Sequence, residues 1–346
     1  MTRSTIIVSP RERFNPLIPS LRSLFKTITE DVPVIVVDAG APERICGELE
    51  ALRDIRPFEW VHTDYYLTPH EARNIGFEKV ETKFVVFVDN DIDYEPCWLD
   101  ALENNAEKYK ADVVAPLICI GPPVARTIHH AGGRLVTEDR NGCIQLKEVH
   151  RLMNKSIEYL TEDNAPVDNQ AAEFHCFLTR SDCVRDMGGL DERLITREQM
   201  DFALRARLLN KRVTFEKDAV VTYMAKDPFK KDDLSYHLFR WSHDLAVQSV
   251  DAFCESWGVE IDRHRVLYSW ISKHRLRAIE AAYPVMRKLL GPKLFKKTIA
   301  SRLERKHTAQ SFHRRMHQGN PKIPYTLVGT KRDAMIAQLP ASKAVA

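Results

Sequence analysis

Two acidic stops interrupt apolar stretches of this chain in a way that could serve chemistry. FVVFVD (Phe84–Asp89) runs into Asn90 and Asp91, and VPVIVVD (Val32–Asp38) ends on Asp38 ahead of Ala39 and Gly40. A short acidic run at a strand end can aim carboxylates at one place, and such hard oxygen donors suit Mg²⁺ or Mn²⁺ bound with a diphosphate. The same triplet also suits a solvated acidic turn, and Asp38 ahead of a glycine also suits an Asx turn. The apolar strand in front of Asp89 favours the site. Asp38 is placed to accept a hydrogen bond from a base or a ribose. Downstream, Glu173 and His175 lie two apart on a strand and share a face, which either looks toward an acceptor site or packs on the sheet. His129, His130, Cys143 and His150 fall in an irregular stretch at spacings that match no metal signature, and they read as structural.

The elements that deliver these residues alternate. Ser4–Ser9, Val32–Asp38, Phe58–His62, Phe84–Asp89 and Ala111–Leu117 read as strands. Leu17–Thr27, Pro42–Leu52, Pro69–Val80 and a segment from about Pro96 read as helices. Near-continuous apolar runs suit strands buried on both faces, and Thr68-Pro69 is a helix start. This rhythm predicts an α/β fold with a doubly wound, mostly parallel sheet, whose ligands bind at the carboxyl ends of the strands. Residues 120–170, with GPPV, AGG, DRNG and TEDNAP, are turn chemistry and read as an insertion or meander. Ala172–Thr179 reads as a strand, and Ser181 as the cap of a short helix to Met187 that Gly188-Gly189 breaks. Glu198–Leu209 reads as a helix, with strand-like pieces at Arg212–Thr214 and Ala219–Tyr223. From about 232 the pattern is helical, broken at Pro284 and at Gly291-Pro292.

Taken in order, VVDAG, Ala72-Arg73-Asn74-Ile75-Gly76, FVVFVDND, Gly188-Gly189-Leu190-Asp191-Glu192 and Glu198-Gln199-Met200-Asp201 resemble a family 2 glycosyltransferase over roughly residues 4–225. The resemblance implies a GT-A fold and transfer of a sugar from a nucleotide-diphospho-sugar, a UDP-sugar being the first guess. The acceptor would be a hydroxyl of a glycan, a lipid-linked molecule or another compound. By the same resemblance Asp38 contacts the nucleotide base, and Arg73 and Asn74 lie near the nucleotide or diphosphate. Asp89 and Asp91 hold ribose and a divalent cation (Mn²⁺ or Mg²⁺), with Asn90 beside the nucleotide-sugar. The chemistry needs such a set. Breaking the anomeric bond puts negative charge on the leaving diphosphate, which a cation neutralises, while a carboxylate on the other face takes the acceptor's proton.

The match departs from the family in two places. The family's usual helix start is Glu-Asp-x-Asp, with the inverting base commonly in the second position. Here that position is Gln199, which cannot take a proton, so Glu198 is the candidate base and Asp201 an alternative or an orienting residue. An inverting outcome is expected ahead of a retaining one. A carboxylate in a first helical turn is also simply favourable with the helix dipole. Many GT-A enzymes draw a third metal ligand from a histidine where this chain has Tyr223; His237, or His243, in SYHLFRWSHD would fold back over the site instead. Tyr236, Phe239 and Trp241 form either core or an acceptor-side lid, the lid being favoured. The departures motivate an alternative, a catalytically impaired GT-A-like module that binds a nucleotide-sugar or glycan. A nucleotidyltransferase would need a glycine-rich loop after the first strand, and Ser9-Pro10-Arg11-Glu12 is not one.

Charge divides the 346 residues unevenly. The net charge is +3, but residues 1–262 carry 32 Lys/Arg against 45 Asp/Glu, and residues 263–346 carry 19 against 3. An acidic body thus bears a basic tail of balance +16. Its cationic residues interleave with apolar ones at helical spacing, which fits an anionic membrane surface or lipid-linked acceptor, another polyanion, or packing and homo-oligomerisation against the acidic body. No nucleic-acid fold signature accompanies the charge. Seven scattered cysteines without a C-x-x-C pair, no signal-peptide-like start and no long apolar window predict a cytoplasmic protein, with peripheral contact at the inner face of the membrane. The chain divides into a glycosyltransferase domain over 1–230, a helical basic region over 231–320 and a loosely ordered tail over 321–346. Within the first, a nucleotide-sugar half runs to about 120 and an acceptor half from there to 230.

Overall fold

The computed structural model describes residues 2–140, 143–225, 229–314 and 330–341. Four short strands open the fold: β1 (Ser4–Ser9), β2 (Val34–Val37), β3 (Glu59–Val61) and β4 (Phe84–Asp89). They lie side by side in the order β3-β2-β1-β4, all parallel. Every residue of β1, β2 and β4 is buried, as their unbroken apolar runs require. The register pairs Ser9 with Asp89, so β1 and β4 end together at one edge. Helices Leu17–Thr27, Glu43–Ile55, Pro69–Phe77 and Trp98–Tyr109 make the crossovers.

Local chemistry sets the helix that carries Arg73. Thr68 and Glu71 form a capping box, and Pro69 takes the first turn, where its missing N–H costs nothing. The helix then lies tightly on β1: a Cβ on Gly76 would stand 2.7 Å from Ile7 Cγ2.

Past β4 the sheet changes direction. After β5 (Ile92–Tyr94) and β6 (Val113–Ile120) come β7 (Thr127–His130), the hairpin strands β8 (Gly133–Arg140) and β9 (Cys143–His150), β10 (Cys176–Arg180) and β11 (Val213–Tyr223). The full order is β3-β2-β1-β4-β10-β6-β11-β5, with β7 on β6 and the β8–β9 hairpin apart. β10 runs antiparallel to both β4 and β6. An antiparallel strand starts where its neighbour ends, so His175, just before β10, lands beside Asp89, whose backbone N–H donates to the His175 carbonyl at 3.0 Å. The stretch read as an insertion or meander holds a strand and a hairpin. The two pieces expected at 212–223 are one strand, whose register shifts between Glu216 and Val220, where the polar Glu216-Lys217-Asp218 run interrupts the apolar pattern.

One core cluster fills both faces of the sheet. A second joins Leu135 and Leu146 of the hairpin, Met200 and Leu204 of helix Glu198–Leu208, and Trp241, Phe253 and Ile271 of the following helices. Met335, Ile336 and Leu339 complete this second cluster from helix Thr330–Ala337 and its end. Residues 321–329 and 342–346 of the stretch expected to be loose lie outside the described residues. No helix among the described residues is long and apolar enough to cross a membrane.

Candidate functional site

The carboxyl ends of β1 and β4, the start of β10 and the end of β11 converge on a cavity of about 260 Å³. Arg11, Arg73, Asp89, Glu173, His175, Glu198, Gln199, Tyr223 and Arg240 are among its walls. Asp89 sits between two guanidiniums and an imidazole: Arg73 Nη2 donates to Oδ1 at 2.7 Å, Arg11 Nε lies 3.8 Å from Oδ2, and His175 Nδ1 lies 3.0 Å from Oδ2. Burial opposes its charge, but His175 and Arg73 prevail and hold the carboxyl below its ordinary range. Asp91, two residues on, is pushed up to about 7 by burial and then by the neighbouring Asp89 charge. Arg13 Nη2 donates to its Oδ2 at 3.2 Å, while its buried Oδ1 has no hydrogen-bond partner.

Ligand atoms of Asp89, Asp91 and His175 all lie within 4.8 Å of one another. Two carboxylates, one with an uncommitted oxygen, and an imidazole fit a divalent cation. His175 stands where His237 was expected. His237 is instead enclosed edge-on to Phe229 and beside Trp241, and burial drives its pKa down to about 4. The helix Asp233–Arg240 packs most of its length inward, and its aromatic residues are core rather than lid. Tyr236 Oη donates to the carbonyls of Pro10 and Leu67, and Trp241 Nε1 to Glu12 Oε2. Trp270 and His274, from the basic region, wall the cavity instead. Tyr223 stacks on His175, ring centroids 4.1 Å apart.

The other predicted residues separate into those that face the cavity and those that build it. Arg73 faces it, and its Nε and Nη1 have no hydrogen-bond partner although buried. Arg240 is in the same condition, with Nη2 donating to Glu198 Oε1 at 3.2 Å. Glu198 is thus on the wall and held by Arg240. Asn74 ties its helix to the Gly188–Glu192 loop, donating to Leu190 O and Glu192 Oε1 while accepting from Leu190 N. Asn90 fixes the loop after β1, donating to Arg13 O and accepting from Arg11 N. Asp201 turns from the cavity, accepting from Arg205 Nε at 2.6 Å and Trp257 Nε1 at 2.8 Å. Asp38 is fully buried: Oδ1 accepts from Gly40 N and Thr63 N, and Oδ2 from Trp60 Nε1 with His62 Nδ1 at 2.6 Å. These four contacts hold the loop after β2 against the end of β3, so a base contact by Asp38 would share or displace one of them.

Sequence reasoning missed Arg11, Glu12 and Arg240 as cavity walls. Only the edge position of Ser9-Pro10-Arg11-Glu12, straight after a buried strand, signals the first two. It also missed that His129 would line the cavity and that His130, Glu148 and His150 would meet.

Comparison with known proteins agrees with this architecture. The description "Glycosyltransferase like family 2" matches residues 17–254. The pre-mycofactocin glycosyltransferase of Mycobacterium tuberculosis, in two strains, is 27% identical over 213 residues, covering 60% of this chain and 39% of the relative. The chain thus spans well under half the length of these curated relatives. Among solved structures, GalNAc-T7 with UDP, GalNAc and Mn²⁺ superposes with a TM-score of 0.52 at 14% identity, over 88% of this chain and 58% of that one. With a family match over more than half its length and a backbone that superposes on that neighbour, this chain belongs to glycosyltransferase-like family 2 and has the GT-A fold.

Proposed function

We propose that the chain transfers a sugar from a nucleotide-diphospho-sugar, a UDP-sugar first, to an acceptor hydroxyl. The observation that carries this reading is the set of unpaired guanidinium N–H groups of Arg73 and Arg240 on the wall that also presents Asp89. Buried donors without acceptors are costly, and an anionic diphosphate supplies what they lack. A divalent cation held by Asp89, Asp91 and His175 would supply further charge neutralisation on the diphosphate as it leaves. Arg73 and Arg11 hold Asp89 ionised and oriented, and Arg240 orients Glu198.

Glu198 is the proposed base for the acceptor hydroxyl. Glu173 is the other carboxylate on the wall, but burial and then the Glu148 charge raise its pKa to about 8, so it is protonated at neutral pH and cannot take a proton there. Whether the outcome is inversion follows from whether Glu198 faces the donor from the side opposite the leaving group. Supporting the reading in kind, the family relatives are named glycosyltransferases. The binding-module alternative rests on Gln199, whose amide is committed to Glu148 Oε2 at 3.1 Å. Turnover separates the two: a panel of nucleotide-sugars should yield free nucleoside diphosphate in the intact chain and none in Glu198→Gln, with nucleotide binding retained. No turnover of any donor in the intact chain, with binding, favours the module.

We also propose that the basic region docks on an anionic membrane or lipid-linked acceptor. Val285 is 69% exposed, Leu289 80% and Leu294 48%, on two short helices that also carry Arg287, Lys288 and Lys293. Exposed apolar side chains among cations are the surface that an interfacial helix presents to anionic lipid.

A further inference from the structure

We infer that His130, Glu148 and His150 form a second metal centre, for a first-row transition ion such as Zn²⁺, which fastens the β8–β9 hairpin to the sheet. Ligand atoms of the three lie within 4.8 Å of one another. They arrive from two places: His130 ends β7, while Glu148 and His150 lie two apart on β9 and so share a face.

The second observation is His130 itself. It is fully buried, and neither ring nitrogen has a hydrogen-bond partner. A neutral imidazole carries one N–H and one lone pair, so this burial leaves both a donor and an acceptor unmet. His150 Nδ1 and Glu148 Oε1 are likewise buried without partners. Four orphan polar atoms in one place are hard to explain by packing. A metal ion uses the lone pairs of all three side chains at once, and an imidazole N–H left over can reorient to a neighbouring acceptor. The surroundings fit close approach: a Cβ on Gly133 would stand 3.3 Å from His130 Nε2, so glycine there makes room for the ring.

The donor set selects the ion. Two imidazoles with a carboxylate suit zinc and its first-row neighbours, whereas the carboxylate pair of Asp89 and Asp91 suits harder cations. Tetrahedral ligands about 2.0–2.1 Å from zinc stand roughly 3.4 Å apart, so small side-chain adjustments close the group. The inference does not depend on the sugar-transfer reading, because none of its three ligands is proposed there to touch donor or acceptor.

The test uses the full chain carrying Asp91→Asn and His62→Gln, which disable the other two groups able to hold an ion among the described residues, stripped with chelator and dialysed against Zn²⁺ or Co²⁺. Metal analysis should find one Zn²⁺ per folded chain. Co²⁺ should give the intense visible absorption of a four- or five-coordinate nitrogen–oxygen site, and Zn²⁺ should raise the thermal midpoint. Adding His130→Ala or His150→Gln should abolish the bound Zn²⁺, the absorption and the shift. Where His130→Ala fails to fold by circular dichroism, His150→Gln decides. A folded Asp91→Asn, His62→Gln chain that takes up no Zn²⁺ overturns the proposal, as does Co²⁺ absorption that survives when His150→Gln is added to that folded chain. Nucleotide binding by the wild-type chain, measured in parallel, reports on the donor site separately.

Discussion

Gln199 Nε2 donates to Glu148 Oε2 at 3.1 Å, joining the helix that begins at Glu198 to the hairpin strand β9. The bond commits the residue at the position where the family commonly carries its base. Glu198, held by Arg240 on the cavity wall, is therefore the proposed base, while Arg205 and Trp257 hold Asp201 away from the cavity.

Glu198 and Asp201 should therefore fail in opposite ways. Glu198→Gln should lower sugar transfer roughly 10²–10⁴-fold, the range for loss of a general base, with a near-unchanged urea midpoint. Asp201→Ala removes the acceptor of Arg205 and Trp257 and should cost about 3 kcal/mol of stability, as for a broken buried pair. Urea titration alongside a transfer assay checks both; a stable, inactive Asp201→Ala would reverse the assignment.

His62 should make stability depend on pH. Its hydrogen bond to Asp38 raises the imidazole's pKa above the ordinary value. A proton held more tightly in the folded state stabilises fully below the unfolded pKa of about 6.5, and the gain disappears as pH rises through the folded value. The thermal midpoint of the wild type should thus fall between about pH 6 and about pH 8 more steeply than that of His62→Gln. Parallel curves would contradict the contact.

Gly40 closes the loop that Asp38 organises, at φ +81°, and a Cβ there would stand 2.8 Å from the Tyr65 carbonyl oxygen. Gly40→Ala adds left-handed strain and a clash against backbone, together about 2–4 kcal/mol. Guanidinium unfolding measures it. A cost under about 1 kcal/mol would mean that the loop relaxes freely.

The basic helices should bind liposomes containing phosphatidylserine and not neutral ones, with binding falling as salt rises. Leu289→Glu with Leu294→Glu should abolish sedimentation with vesicles while leaving the melting curve in place, since both side chains are exposed. Equal binding to neutral vesicles would sink the docking proposal.

The early strands and helices were legible because each is a local pattern. FVVFVD reads as a buried strand, Thr68-Pro69 announces a helix start, and β1, β4 and helix Leu17–Thr27 have the boundaries that the pattern predicts. Asp89 and Glu198, which line the cavity, and Asp91 beside Asp89 were legible as candidates for the same reason, being tied to element ends, while Arg73 was picked out by the order of motifs. What was hidden depends on topology. Nothing in the spacing of His175 shows that β10 runs antiparallel and sets it beside Asp89 rather than at the far edge. His130 and His150 look unrelated until a hairpin folds one over the other. His237 and Trp241 sit on an amphipathic helix whose buried side the sequence does not assign to core or cavity.

On the proposed function, the strand-end cluster holds a nucleoside diphosphate with a divalent cation. Thermal shift of the full chain with UDP, GDP, CDP and dTDP, each with and without Mn²⁺, tests it most directly. One nucleotide should raise the midpoint with Mn²⁺ present, by the equivalent of about 2.7 kcal/mol at 100 times its dissociation constant, and should do so far less in Asp91→Asn. No shift with any nucleotide, or an undiminished shift in Asp91→Asn, would contradict the account.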